Sequence, residues 1–213
     1  MARTRSWLVN ETIVLTAIVV GVGAIVSGLG SGSALAAPTI CDAIAGNLVQ
    51  NCSFEIQPPF TNWTTIPAAI GSDFDVTSNA SSVNSGTYAA EFGAVGVLDD
   101  TITQSLATTF GSQYTVKFWL ANNGGNVPDN DFKALWNAIP LLNFVNDVSF
   151  AYTEYTFSEI GTGSDLLTFA GRNHPSFYYL DDVSGHPCRG GSRARHSPPP
   201  GFWPRGAGRV AAA

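Results

Sequence analysis

Two short stretches decide the fold of this chain: Asn47-Leu-Val-Gln-Asn-Cys-Ser-Phe-Glu55 and Phe177-Tyr-Tyr-Leu-Asp-Asp-Val-Ser184. Each combines β-branched or aromatic residues with a carboxylate, a composition that predicts a β-strand. Together they enclose about one domain's length of chain. The sequence therefore predicts a single domain that begins at residue 47 and ends at residue 184.

The chain between these stretches has the two-residue period of β-strands. In the run from Tyr114 to Leu120, aromatic and aliphatic residues alternate with Thr115, Lys117 and Trp119. Short runs of this kind are separated by Gly, Asn, Ser and Thr, and they predict a two-sheet β-sandwich. The predicted strands are 47–55, 74–78, 87–92, 101–107, 113–122, 132–136, 141–145, 149–158, 166–170 and 177–184.

The charge of the chain is distributed unevenly. The net charge is −6, but residues 37–184 contain three Lys and Arg against fifteen Asp and Glu, which makes this part near −12. Residues 185–213 contain five Arg and no acid. An acidic domain repels phosphate backbones, so nucleic acid is not an expected partner, whereas cations and neutral ligands are. The alternative is that the charge only keeps the domain soluble.

The first 36 residues have the pattern of an export signal. Arg3 and Arg5 precede a long apolar run, and Ala34-Leu-Ala36 forms a typical cleavage site. We predict cleavage after Ala36 and a short linker at 37–46. Because the apolar run approaches membrane-spanning length, an uncleaved anchor is the alternative, and it would be the only contact of this chain with a membrane.

The cysteines are consistent with export. Cys41 and Cys52 are the only cysteines before the tail, and an oxidising compartment permits a disulfide between them. Two free buried thiols are the alternative. Cys188 has no evident partner.

Three further stretches lie between the two that bound the domain: Gly86-Thr-Tyr-Ala-Ala-Glu-Phe92, Ile102-Thr-Gln-Ser-Leu106 and Tyr114-Thr-Val-Lys-Phe-Trp-Leu120. Their order and spacing resemble those of the secreted galactose-binding-like jelly rolls, the β-sandwich of many bacterial carbohydrate-binding modules. The chain looks especially like the version found in bacterial PEP-CTERM exported proteins. The resemblance covers residues 47–184 and implies a single jelly-roll domain in the bacterial cell envelope or outside the cell.

The resemblance also implies a structural calcium ion. In the family, the Glu that closes the first strand and an Asp of the last strand meet on one side of the sandwich. By position these residues are Glu55 and Asp181, with Asp182 as a further candidate, and carboxylate oxygens are ligands that Ca²⁺ prefers. The alternative is that these acids accept backbone hydrogen bonds at a sheet edge.

Three residues are candidates for binding a ligand. Trp119 alternates with the core residues of its strand, so its ring is expected on the outer face, where it could stack on a sugar. Arg172 and Asn173 lie in a loop that is similar to a recurring family loop. The alternative for Arg172 is that it neutralises a neighbouring acid.

The residues do not form a catalytic pattern. His174 is the only histidine before residue 185, and the paired acids lie in Gly- and Ser-rich turns, where acids are ordinary turn formers. We therefore predict that the protein is not an enzyme but an exported module that binds a cell-surface or extracellular polysaccharide. The alternative is a structural protein of the envelope or matrix with no small ligand.

The tail, residues 185–213, is dominated by Arg, Gly and Pro and is predicted to be disordered. The family continues at this point with a Pro-Glu-Pro motif, an apolar helix and terminal arginines. Codons permitted by this tail, when read one base out of frame, can encode such a segment. The tail is therefore interpreted as a frameshifted sorting signal, with a genuine basic tail as the alternative.

Overall fold

A computed structural model describes residues 38–68, 72–124 and 129–188. The predicted signal peptide, residues 1–36, and the tail from residue 189 onward lie outside the described residues. Ten strands and two single turns of 3-10 helix, Cys41–Ala43 and Ala80–Ser82, make up the regular structure of the described part. The strands are β1 (Thr64–Ile66), β2 (Asp73–Thr77), β3 (Ala89–Gly93), β4 (Asp100–Leu106), β5 (Gln113–Asn122), β6 (Asp131–Trp136), β7 (Ile139–Val145), β8 (Phe150–Ile160), β9 (Asp165–Arg172) and β10 (Tyr178–Pro187).

The strands form two antiparallel sheets of five strands each. The first sheet has the order β1-β4-β9-β6-β7, and the second has the order β2-β3-β10-β5-β8. This architecture confirms the predicted all-β, two-sheet jelly-roll sandwich. In the described part of the chain, no helix is long and apolar enough to cross a membrane.

Aromatic rings from both sheets fill the space between them. Phe118 of β5 meets Phe169 of β9 edge to face, with ring centroids 5.0 Å apart. Phe132 of β6 packs against Tyr178 of β10 at 5.2 Å, and all four rings are fully buried. Burying a side chain of this size stabilises the fold by roughly 1.5–3 kcal/mol. The alternation seen in the sequence of β5 is therefore the alternation between core and outer face.

The predicted strand at 47–55 is wrong. This stretch forms successive turns, because Asn51 and Phe54 adopt positive φ angles of 49° and 60° that a strand excludes. It nevertheless lies along β10: the Leu48 amide donates to the carbonyl of Gly185, and the Val183 amide donates to that of Cys52. The first strand of the described domain is instead β1, which is not among the predicted strands.

The predicted linker at 37–46 belongs to the domain, at least from residue 38. Thr39 and Cys41 are buried, and Cys41–Ala43 forms a 3-10 turn that packs on the end of the sandwich. The disulfide between Cys41 and Cys52 is confirmed, with Cα atoms 6.1 Å apart. It fastens this turn to the segment that lies along β10. Cys188 is free.

The domain also extends beyond the predicted boundary at Ser184. Strand β10 continues to Pro187, with Gly185, His186 and Pro187 paired to Val116, Thr115 and Tyr114 of β5. The amide of Cys188 then donates to the carbonyl of Gln113. Residues 185–187 are therefore part of the sheet, and the predicted disordered tail begins too early.

Candidate functional site

The outer face of the second sheet carries four aromatic side chains from three neighbouring parts of the chain. They are Trp119 of β5, Tyr152 of β8, Tyr179 of β10 and Phe177, which directly precedes β10. Trp119 is partly exposed between the buried Phe118 and Leu120, which confirms the predicted outward direction of its ring. The rings of Phe177 and Tyr179 stack with centroids 5.9 Å apart. We call this surface the aromatic face.

Tyr152 reaches the aromatic face by the alternation of β8. Glu154 is directly opposite Trp119 across β5 and β8, and Tyr152, two residues before it, lies on the same face. The Tyr152 hydroxyl donates a 2.8 Å hydrogen bond to the carbonyl of Ser82. This bond holds the ring beside Tyr179.

A pocket of about 350 Å³ opens between Tyr152 and Tyr179. Its floor is the small side chain of Ala121, and the exposed Asn123 adds an amide group to its wall. The amide of Asn122, which also lines the pocket, is buried and donates to the carbonyls of Asp147 and Val148. Tyr179 is only 8% exposed, yet its hydroxyl forms no hydrogen bond with any residue that the structure describes. An aromatic wall next to polar groups that can donate and accept hydrogen bonds suits a ligand with both apolar faces and hydroxyls.

Acidic side chains continue the aromatic face on the side of β2 and β3. Glu91 is directly opposite Tyr179 across β3 and β10, and Asp75 is directly opposite Glu91 across β2 and β3. Asp73, two residues before Asp75, lines a second pocket together with Glu91 and Phe177. We call Asp73, Asp75 and Glu91 the acidic end of the aromatic face.

The structure does not bring Arg172 and Asn173 to Trp119. Arg172 ends β9 in the first sheet and forms ion pairs with Asp99 and Asp131, at 2.5 and 3.3 Å. It therefore neutralises neighbouring acids, as in the alternative interpretation. Asn173 is 1% exposed and donates to the side chain of Asn122 and to the carbonyl of Gly124. These contacts are those of a residue that holds loops together.

Asp181 and Asp182 form a buried pair on β10, bonded to two other parts of the chain. For Asp181, one carboxylate oxygen accepts from the Ser53 hydroxyl and from the Asp182 amide, and the other accepts from the amides of Asn84 and Ser85. For Asp182, one oxygen accepts from the Cys41 amide and from the Ser85 hydroxyl. The other oxygen accepts from the side-chain amide of Asn84 and from the same hydroxyl.

Glu55 lies on the other side of the same loop. One of its carboxylate oxygens accepts hydrogen bonds from the amides of Thr87 and Tyr88 at 2.7 and 2.8 Å. Gly86 is required beside it, since a Cβ at this position would clash with that oxygen and the backbone φ is +72°. The three acids thus anchor one loop, residues 84–88, to the sheet.

This arrangement does not fit the predicted calcium ion. Ca²⁺ needs six to eight oxygen ligands, whereas the oxygens of Asp181 and Asp182 are each approached by N–H or O–H donors. Among the described residues, the only set of three acidic, cysteine or histidine side chains with ligand atoms within 4.8 Å is Cys41, Asp42 and Cys52. Calcium stays a prediction, and the hydrogen bonds support the alternative in which these acids accept from the backbone.

The Asp181 carboxyl is expected to make stability depend on pH. Burial, and then the charge of Asp182, raise its pKa to about 7, against hydrogen bonds that lower it. The unfolded value is about 3.9, so the folded state binds the extra proton between roughly pH 4 and pH 7, and this contribution to stability decreases as pH rises through that window. Urea unfolding at successive pH values should show the decrease. It should be smaller in D182N, which lacks the second charge, and an equal decrease in both proteins would contradict the assignment to this pair.

No known protein family matches the chain, and no curated protein does. Solved structures are similar to it in fold. The tailspike protein 4 enzymatically active domain of bacteriophage CBA120 is 12% identical over 67% of this chain, with a TM-score of 0.50, and this chain covers 21% of it. TmCBM61, solved with β-1,4-galactotriose, is 16% identical over 67% of this chain and 99% of its own, with a TM-score of 0.47. The CBM22-1 xylan-binding domain of Paenibacillus barcinonensis Xyn10C is 16% identical over 63% and 90%, with a TM-score of 0.43.

Proposed function

We propose that this protein is a non-catalytic module that binds a polysaccharide along its aromatic face. The observation that carries the proposal is the grouping of the partly exposed rings of Trp119, Tyr152 and Phe177 on one outer face, beside a pocket that Tyr152, Tyr179 and Asn123 line. Pyranose rings present apolar C–H faces that stack on aromatic rings, and their hydroxyls bond to amides and phenols. One of the similar structures was solved with a galactose oligomer and another is a xylan-binding domain. We propose the same class of ligand here because of the surface of this chain itself.

The proposed module acts outside the cytoplasm. The Cys41–Cys52 disulfide is typical of an oxidising compartment, and residues 1–36 have the composition of an export signal. We propose that the protein is of the PEP-CTERM type, exported to the bacterial envelope or beyond it, with the frameshifted tail in place of its sorting signal. The acidic surface of the domain supports a glycan partner over a nucleic acid.

Substitution of Trp119 provides the test of this proposal. If the ring stacks on a sugar, W119A should weaken binding about tenfold, since a stacked ring contributes up to about 1.5 kcal/mol. Affinity electrophoresis of the protein in gels that contain a panel of soluble polysaccharides measures the effect. F110A is the matched control, because Phe110 is also an aromatic residue, 82% exposed, but lies in the loop between β4 and β5.

Each outcome distinguishes the proposal from its alternatives. Retardation by one polysaccharide that W119A reduces and F110A preserves supports the proposal. Retardation that both variants preserve moves the site away from the aromatic face. If no polysaccharide in the panel retards the protein, the structural role in the envelope or matrix replaces the binding role.

A further inference from the structure

We infer that the glycan bound by the aromatic face carries free amino groups, so that the site takes a polymer of the amino-sugar class in its protonated form. The inference rests on the proposed function and adds the charge of the ligand to it. Its basis is the position of the acidic end relative to the aromatic rings.

One row of side chains crosses four strands of the second sheet on the outer face. Asp75 of β2, Glu91 of β3, Tyr179 of β10 and Ala121 of β5 are directly opposite one another in successive pairs. Neighbouring strands lie about 4.8 Å apart, so two carboxylates, a phenol ring and the floor of the pocket follow one another at this spacing. A sugar that stacks on the partly exposed ring of Phe177, which lines the same pocket as Asp73 and Glu91, therefore places its substituents beside these carboxylates.

The carboxylates of the acidic end have no cationic partner in the described part of the chain. Lys117, Lys133 and Arg172 are all engaged elsewhere, in ion pairs with Glu154, Asp99 and Asp131. Consistent with this, burial and then the charges of Asp75 and Asp73 raise the pKa of Glu91. A bound cation would relieve this repulsion, whereas a uronic acid would add to it.

The geometry favours an organic ammonium group over a metal ion. The oxygens of Asp73, Asp75 and Glu91 do not come within 4.8 Å of one another as a set, which a shared metal ion would require. They instead line, together with Phe177, a pocket of about 460 Å³. An ammonium group suits such a pocket, because the aromatic ring and the carboxylates each attract a cation. The hydroxyl of the 8% exposed Tyr179, without a partner among the described residues, supplies a hydrogen bond to the same sugar.

Titration calorimetry with two matched oligosaccharides tests the inference. The probes are a β-1,4-linked glucosamine oligosaccharide and its fully N-acetylated counterpart of equal length, at a mildly acidic pH that keeps the amines protonated. The full-length protein should bind the free amine about tenfold more tightly, the effect of one or two charge-assisted bonds. E91Q and D75N should each remove most of this preference and leave the affinity for the N-acetylated probe within about twofold. D129N is the control, because it removes the same charge at an exposed loop position outside the row.

The outcomes separate the inference from the proposed function. Equal binding of the two oligosaccharides, weakened for both by W119A, overturns the amino-sugar inference and supports glycan binding. A loss in D129N as large as that in E91Q, or equally tight binding of polylysine, shows general charge attraction and also overturns the inference. Binding of neither probe, together with no retardation by any polysaccharide, overturns the proposed function itself.

Discussion

Reduction of the Cys41–Cys52 disulfide is expected to lower the melting temperature of the protein by about 10 °C. The bridge closes a loop with a sequence separation of 11, and the lost chain entropy of such a loop corresponds to about 3 kcal/mol. For a domain of this size, 1 kcal/mol shifts the melting temperature by about 2–4 °C. Thermal melts followed by circular dichroism, with and without a phosphine reductant, measure the shift.

Two controls accompany this measurement. C188S removes the only free thiol of the described residues and should melt like the unmodified protein, with the same response to reductant. EGTA in the oxidised sample tests the predicted calcium ion. The hydrogen bonds of Asp181 and Asp182 lead us to expect no shift, so a lower melting temperature in EGTA would establish a metal at Glu55 and Asp181. An unchanged melting temperature in reductant would show that the disulfide does not stabilise the fold.

Replacing Asp181 by Asn is expected to destabilise the fold by about 3 kcal/mol or more, although it removes a buried charge. Each carboxylate oxygen of Asp181 accepts two hydrogen bonds. Three of these four donors are backbone amides, which cannot rotate to become acceptors. An Asn side chain would turn two N–H groups toward such donors. A protonated Asp needs only one acceptor, which the Ser53 hydroxyl can provide by rotating.

D182N is the matched control for this effect. The oxygen of Asp182 that accepts from Asn84 meets side-chain groups only, the Asn84 amide and the Ser85 hydroxyl. Both can rotate to accept a hydrogen bond from the new amide, so D182N should cost less than about 1 kcal/mol. Urea unfolding at pH 7 compares the two variants, and a larger loss in D182N would show that donor saturation of Asp181 does not control stability.

Much of the fold could be predicted from the sequence because the central strands alternate strictly. In β5 every second side chain is buried in the core, and this regularity is visible in the residues themselves. The segment 47–55 has no such alternation: Leu48 and Val49 are adjacent, and the turns depend on positive φ angles at Asn51 and Phe54. Strand β1 has three residues, all exposed, and therefore lacks the periodicity that a sequence pattern requires.

The candidate site could be predicted only in part. Trp119 was found because its direction follows from the strand that contains it. Tyr152 and Tyr179 were missed because their meeting depends on the order of β10, β5 and β8 in the sheet, which is not encoded locally. Arg172 was assigned to the ligand by the resemblance of its loop, whereas its ion partners, Asp99 and Asp131, come from two other parts of the chain.

Strand β10 is the last strand in the part of the chain that the structure describes, and it is the middle strand of its sheet. Until it is synthesised, β3 and β5 have no shared neighbour, and the segment from Leu48 to Cys52 lacks the backbone groups to which it bonds. The sandwich therefore closes only when nearly the whole domain is available, since its decisive pairings join the first and the last described segments of the domain. For a protein that we propose is exported, late closure has a use: a chain still passing through a translocation channel has not yet completed its core, so it can be threaded without first being unfolded.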